Sequence, residues 1–323
     1  MSLSSVAPER VSSGLDEAVI SIRGLHKNYG ALAAVKGVDL QIMRGEVFGI
    51  LGPNGAGKTT TLEMIEGLRK PDSGTITVCG VDAVKQPARL KEIVGVQLQS
   101  TALFTYLTNF ELLQLFASFY ENGMSDADLD TLLGQVSLSE KRNNKVQELS
   151  GGQQQRLSIA LTLVNKPQVV FLDEPTTGLD PQARRNLWEL VRSINSEGRT
   201  VVLTTHYMEE AETLCDRIAI MDHGQVLALD TPRGLIASLN LTPLISGLST
   251  QPLPLDRVQA LPGVQDVRLD DDGFEIRTTA PQDTLVSLLR LAQEVDSAIS
   301  NLNVRSGNLE DVFLTLTGRS YRA

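Results

Sequence analysis

Gly52-Pro53-Asn54-Gly55-Ala56-Gly57-Lys58-Thr59 fits the spacing GxxxxGK[ST], and the reading of the whole chain follows from it. The three glycines let the backbone turn through conformations closed to other residues, so that successive N–H groups can face a polyphosphate. Lys58 would then pair with the outer oxygens and Thr59 would offer a hydroxyl to Mg²⁺, with Thr60 beside it. Glu46-Val47-Phe48-Gly49-Ile50-Leu51 reads as a buried strand leading in. Thr59 to Leu68, apolar at Leu62, Ile65 and Leu68, reads as a helix whose N-terminus adds its positive dipole end to the site.

Two further strands carry chemistry at their ends. Val169-Val170-Phe171-Leu172 is an apolar run closed by Asp173-Glu174, which places carboxylates at the carboxyl edge of a parallel sheet. Two adjacent acids suggest two tasks: Asp173 for the metal, Glu174 for the attacking water. Thr200-Val201-Val202-Leu203-Thr204-Thr205 delivers His206, placed to meet a γ-phosphate or to orient the water. Leu149-Ser150-Gly151-Gly152-Gln153 opens a helix rich in buried-type residues, and a small, Gly-rich helix start is an anion site. The chain thus holds two anion sites, so the second is spare or completes a site on another molecule.

Phosphate loop, Ser150-Gly151-Gly152-Gln153 and Asp173-Glu174, in that order, resemble the ATP-binding cassette (ABC) ATPases. The resemblance runs over about the first 240 residues and implies an α/β fold, a P-loop NTPase core with an antiparallel β subdomain and an α-helical subdomain at residues 100–160. It implies ATP and Mg²⁺ as ligands and a head-to-tail dimer in which Ser150 and Gly152 close over the γ-phosphate held by the other copy's Lys58. Tyr29 resembles the aromatic residue that stacks on adenine. Gln99 resembles the glutamine that reaches Mg²⁺ and water, with Gln97 the alternative two residues away. Asp180, in Thr177-Gly178-Leu179-Asp180, resembles the acid of the loop that touches the partner's active site.

Charge and hydropathy narrow the partners. A formal charge of −10 opposes nucleic-acid binding, which calls for Lys and Arg at phosphates. No apolar run approaches the roughly 18 residues of a membrane span, so a soluble, cytoplasmic protein is expected, held on the inner face of the membrane through a permease. Phe110 to Tyr120 reads as the start of the helical subdomain that would dock there. Cys79 and Cys215 fit a reducing compartment and packing roles. Residues 1–17, rich in Ser, Pro and Gly, read as disordered rather than as a signal.

The cassette pattern ends near Thr231-Pro232-Arg233-Gly234, and the boundary is placed at 240/241, the apolar but Pro- and Gly-broken stretch Leu241 to Pro254 serving as the junction. Beyond it a strand at 264–269, a turn at Asp271-Asp272-Gly273, a return strand at 274–278, a helix at 283–299 (face Leu285, Leu288, Leu289, Ala292, Val295), a strand at 302–304 and a helix at 309–316 predict a small accessory α+β domain. Asn308 to Arg319 resembles the tail of drug-export ATPases of the daunorubicin-resistance type. The reading is therefore the ATPase subunit of an exporter, as a homodimer or pseudo-symmetric dimer of such subunits. A soluble nucleotide-dependent switch acting on nucleic acid or ribosomes, or an effector-binding regulator, are the alternatives.

Overall fold

The computed structural model describes residues 18–97, 104–239, 242–270, 273–305 and 307–318. They fall into two compact units, divided between Pro232 and Arg233. In chain order the first unit carries β1 (Ala18–Tyr29), β2 (Leu32–Met43), β3 (Val47–Leu51), α1 (Lys58–Ile65), β4 (Ser73–Val78), β5 (Val81–Asp82), α2 (Pro87–Ile93) and β6 (Val94–Gln97). Then follow α3 (Asn109–Ala117), α4 (Asp126–Gln135), α5 (Gly151–Leu161), β7 (Val169–Asp173), α6 (Pro181–Ser196), β8 (Thr200–Thr205), α7 (Met208–Leu214), β9 (Arg217–Asp222) and β10 (Gln225–Asp230), while α8 (Pro232–Ser238) starts at the division and lies in the second unit but for Pro232.

The central sheet runs β10-β9-β3-β8-β7-β6. Its strands β9, β3, β8, β7 and β6 are parallel and β10 is an antiparallel edge. Strands β3, β7 and β8 are buried along their whole length, which is why they read as unbroken apolar runs without alternation. Register does the rest. Leu51 pairs with Thr205, and Asp173 with Thr204, so the residues after β3, β7 and β8 emerge side by side at one sheet edge.

A smaller antiparallel sheet, β2-β1-β4-β5, lies in the same unit. Its inward residues, Ile20, Ile22 and Ile42 among them, share one hydrophobic core with Phe48, Leu62 and Phe171. Helices α3, α4 and α5 pack on one another. Each opens with a capping box, at Thr108, Ser125 and Ser150, whose side chains satisfy backbone donors that a helix start leaves open. The helix after the phosphate loop is shorter than its apolar spacing predicts. It stops at Ile65, Gly67 turns at φ +73°, and Leu68 is exposed.

The second unit contains β11 (Leu244–Ser249), α9 (Leu255–Gln259), β12 (Val264–Leu269), β13 (Gly273–Thr278), α10 (Pro281–Glu294), β14 (Ile299–Arg305) and α11 (Leu309–Thr317). Its antiparallel sheet has the order β12-β13-β11-β14, the split βαββαβ arrangement. Two expectations are corrected here. The stretch read as a junction is strand β11, paired on both sides, by β13 and β14; Ser246-Gly247 interrupts its alternation and Gly247 leaves room for the Phe274 ring. Helix α10 ends at Glu294 rather than Ile299, which begins β14, and Leu291 is buried while Leu289 is exposed. Residues 1–17 and Asp271-Asp272 lie outside the described residues.

Candidate functional site

The loop from Gly52 to Gly57 connects β3 to α1, and its glycines answer specific crowding. A Cβ on Gly52 would lie 2.3 Å from the Met221 carbonyl, and Gly57 sits at φ +100° with the Ala34 carbonyl 2.5 Å from where a Cβ would be. Lys58 folds back over this loop, its Nζ donating to the carbonyls of Gly52 at 2.9 Å and Pro53 at 3.3 Å. A cavity of about 410 Å³ opens here, lined by Tyr29, Asn54 to Thr60, Glu174 and Gly224 among others.

Asp173 and Glu174 occupy adjoining but distinct settings. Thr59 Oγ1 lies 3.2 and 3.3 Å from the two carboxylate oxygens of Asp173, and Thr204 Oγ1 donates to Oδ1. Burial pushes the Asp173 carboxyl above its ordinary range against the opposing effect of these hydroxyls. Glu174 stands 3.3 Å from Lys58 Nζ through Oε1 and 3.1 Å from His206 Nδ1 through Oε2. Burial raises its pKa too, but Lys58 and His206 outweigh that and hold it below the usual value, so the carboxyl is ionised at neutral pH. Its backbone is in the left-handed region, φ +48°, at a cost of about 1–2 kcal/mol for a non-glycine residue. Hydrogen bonds from Glu174 N to Thr204 Oγ1, 3.0 Å, and to the Thr204 carbonyl, 3.2 Å, hold it there.

Lys58, Thr59, Asp173, Glu174 and His206 thus converge. Thr204, which touches Asp173 and the Glu174 backbone, and Thr177, whose hydroxyl donates to Glu174 Oε2 at 3.2 Å, complete the cluster. Neither stands out in the sequence as more than a polar residue in a strand or loop; the only signal is that Thr204 pairs across from Asp173 in a parallel sheet. Among the described residues no group of three or more His, Cys, Asp or Glu forms a metal cage. The Thr59–Asp173 oxygen pair suits a hard cation that takes one carboxylate and completes its shell with phosphate and water, and that is how Mg²⁺ is held. Gln99 lies outside the described residues. Gln97 closes β6, buried, with its Oε1 lacking a partner among the described residues.

Ser150, Gly151, Gly152 and Gln153 do not line the phosphate cavity, and neither does Asp180. Ser150 caps α5, its Oγ accepting from Gln153 N at 3.4 Å while Gln153 Oε1 accepts from Ser150 N at 2.9 Å. Gly151 is exposed with open space where a Cβ would point. Asp180 caps α6 through Ala183 N at 2.8 Å. Helix α5 is nonetheless tied to the loop after β7, because Gln155 Nε2 donates to the Pro175 carbonyl at 2.6 Å. Tyr29 ends β1, 41% exposed, and lines the cavity.

A second cavity, of about 570 Å³, is lined by Phe116, Phe119 and Tyr120 together with Leu68, Val96 and Gln97 among others. Phe119 is 65% exposed there. No helix among the described residues is long and apolar enough to cross a membrane.

Comparison with known proteins agrees with this geometry. Residues 35–177 match the sequence profile of the family described as ABC transporter. The chain is 38% identical to the linearmycin resistance ATP-binding protein LnrL of Bacillus subtilis over 94% of this chain and 100% of the relative. It is 40% identical to the Nod factor export ATP-binding protein I of Ralstonia nicotianae over 94% and 95%. Among solved structures, cbiO1 from Clostridium perfringens, part of the ABC transporter complex cbiONQ, superposes with a TM-score of 0.63 at 29% identity, covering 69% of this chain and 92% of that one. A dimeric post-hydrolysis state of the ATP-binding cassette MJ0796, bound to ADP and Pi, superposes with a TM-score of 0.60 at 30% identity, covering 66% and 98%.

Proposed function

The chain belongs to the ABC transporter family as an ATP-binding subunit of exporter type, and from this we propose that two copies, or one copy and a pseudo-symmetric equivalent, bind two MgATP head to tail, hydrolyse them and drive a separate membrane permease. The observation that carries the chemistry is the convergence of Lys58, Thr59, Asp173, Glu174 and His206 at one sheet edge, beside the loop from Gly52 to Gly57. When bound, Mg²⁺ neutralises charge on the outer phosphates; Thr59 and Asp173 would hold it, and Gln99 would reach it from beyond β6. Glu174, ionised, takes a proton from the attacking water. His206, hydrogen-bonded to Glu174, faces the γ-phosphate.

The exposed cap of α5 supports the dimer. An anion-binding helix start turned to solvent, away from its own phosphate cavity, is suited to another copy's nucleotide, with Asp180 at the same interface. The MJ0796 cassette is dimeric in its post-hydrolysis state bound to ADP and Pi. The aromatic-walled groove beside α3 supports a permease contact, which would hold the chain on the inner face of the membrane. Cargo follows from the permease; relatives named for linearmycin resistance and for Nod factor export favour a drug or other small molecule. The test is twofold. Purified chain must hydrolyse ATP in a Mg²⁺-dependent way, and on co-expression with a candidate permease it must be recovered with the membrane. Hydrolysis absent in both settings overturns the reading.

A further inference from the structure

Tyr29 is only partly enclosed, and a ring this exposed needs something to hold its plane if a base is to stack on it. The structure supplies a bracket. Arg69, on the turn after α1, places its Cζ 5.3 Å from the Tyr29 ring centroid, and Lys27 Nζ lies 6.0 Å from it. Neither Arg69 nor Lys27 is among the residues lining the phosphate cavity, whereas Tyr29 is, so the cations near the ring do not themselves wall that cavity. Arg69 is itself fixed. Its Nε meets Glu63 Oε2 at 2.5 Å, and Glu63 belongs to α1, the helix whose first residues hold the phosphates. Asp72, on the same turn, clasps the strand carrying Tyr29, accepting from Asn28 N at 2.7 Å and from Lys27 Nζ at 2.8 Å.

We propose that Arg69 is a positioning residue for the nucleobase: pinned by Glu63, its guanidinium backs Tyr29 so that the opposite face of the ring receives the base of a nucleoside triphosphate. This rests on Tyr29 being the base platform. The physical content is twofold. A planar, permanently charged guanidinium on one face draws π density toward it and makes the other face a better partner for an electron-rich purine. The Glu63–Arg69 pair also ties the platform to α1, fixing the base-to-phosphate span of the site.

The experiment compares a ligand that has a base with one that lacks it. Binding of MgATP and of magnesium tripolyphosphate is titrated against the full chain, Arg69→Gln, Tyr29→Leu and the double variant. Arg69→Gln is expected to weaken MgATP about two- to fivefold, to leave tripolyphosphate at the parent affinity, and to cost nothing further in the Tyr29→Leu background. Equal losses for both ligands, unchanged ATP affinity, or the same loss with and without Tyr29 would overturn it. Glu63→Gln, which frees Arg69 while keeping it, supports the bracket if its loss falls on ATP alone and opposes it if both ligands suffer equally. Failure of the parent chain to bind ATP at all would instead overturn the nucleotide reading, and Tyr29→Leu with full ATP affinity would overturn the platform.

Discussion

Lys58 Nζ and Glu174 Oε1 stand 3.3 Å apart, both side chains buried, so the cation proposed for the outer phosphates is ion-paired with the carboxylate proposed for the water. A γ-phosphate bound as proposed would compete with Glu174 for Lys58. Binding would then loosen the partner that most strongly lowers the Glu174 pKa, and the carboxylate would become the stronger base as the site fills.

Glu174→Gln is nearly isosteric, cannot take the proton, and ends the pairing with Lys58. Turnover should fall about 10²- to 10⁴-fold while MgATP affinity is kept or improved, and the trapped nucleotide should shift the chain to a larger species on size exclusion. Phosphate release near the parent rate would contradict the role of Glu174.

Lys58→Ala removes the point charge proposed for the phosphates and leaves the buried Glu174 side chain to its hydrogen bonds with His206 and Thr177. Nucleotide affinity should drop before any effect on chemistry is measurable. Titration with a fluorescent ATP analogue checks this, and an unchanged dissociation constant refutes it.

Ser150→Arg sets a guanidinium at the positive end of α5, in the exposed space proposed for another copy's γ-phosphate. Monomer folding and nucleotide binding should survive while dimerisation and hydrolysis are lost. Mixed with Lys58→Ala chains, some activity should return, because one of the two sites in a mixed dimer pairs an intact Lys58 with an intact Ser150. A monomer of Ser150→Arg with full activity would end the shared-site mechanism.

Glu66, beside the groove, supplies a pH test. Burial first, then Asp173 and Glu63, push its pKa from 4.5 to about 8, and its Oε1 has no partner among the described residues. Below pH 4.5 folded and unfolded chains both hold the proton; between there and about pH 8 only the folded chain does, so stability falls across that window and then levels. Glu66→Gln escapes this loss. Its thermal melt should exceed the parent's by more at pH 8 than at pH 5, a difference on the order of a few kcal/mol. Equal gains at both pH values would show that the carboxyl is already ionised.

Local chemistry is what the sequence made legible. The phosphate loop, the Asp173-Glu174 strand end and the cap at Ser150 each depend on a handful of consecutive residues, and their spacing survives folding unchanged. Thr204 and Thr177 were not legible, because their roles come from a strand pairing across from Asp173 and from a loop returning to Glu174. Arg69 is equally silent, its meaning fixed by where Tyr29 ends its strand. Strand β11 escaped because Ser246-Gly247 breaks the apolar alternation, and the compensation, the Phe274 ring lying over Gly247, belongs to another strand.

Strand β11 is the first of its unit to leave the ribosome, yet it sits inside its sheet, waiting for β13 on one side and for β14, the last strand, on the other. Until Ile299 to Arg305 has been synthesised, one flank of β11 presents unpaired amides and carbonyls. A message truncated between α10 and β14 should therefore yield a chain with a working cassette sequence and an adhesive tail, lost to inclusion bodies rather than to inactivity.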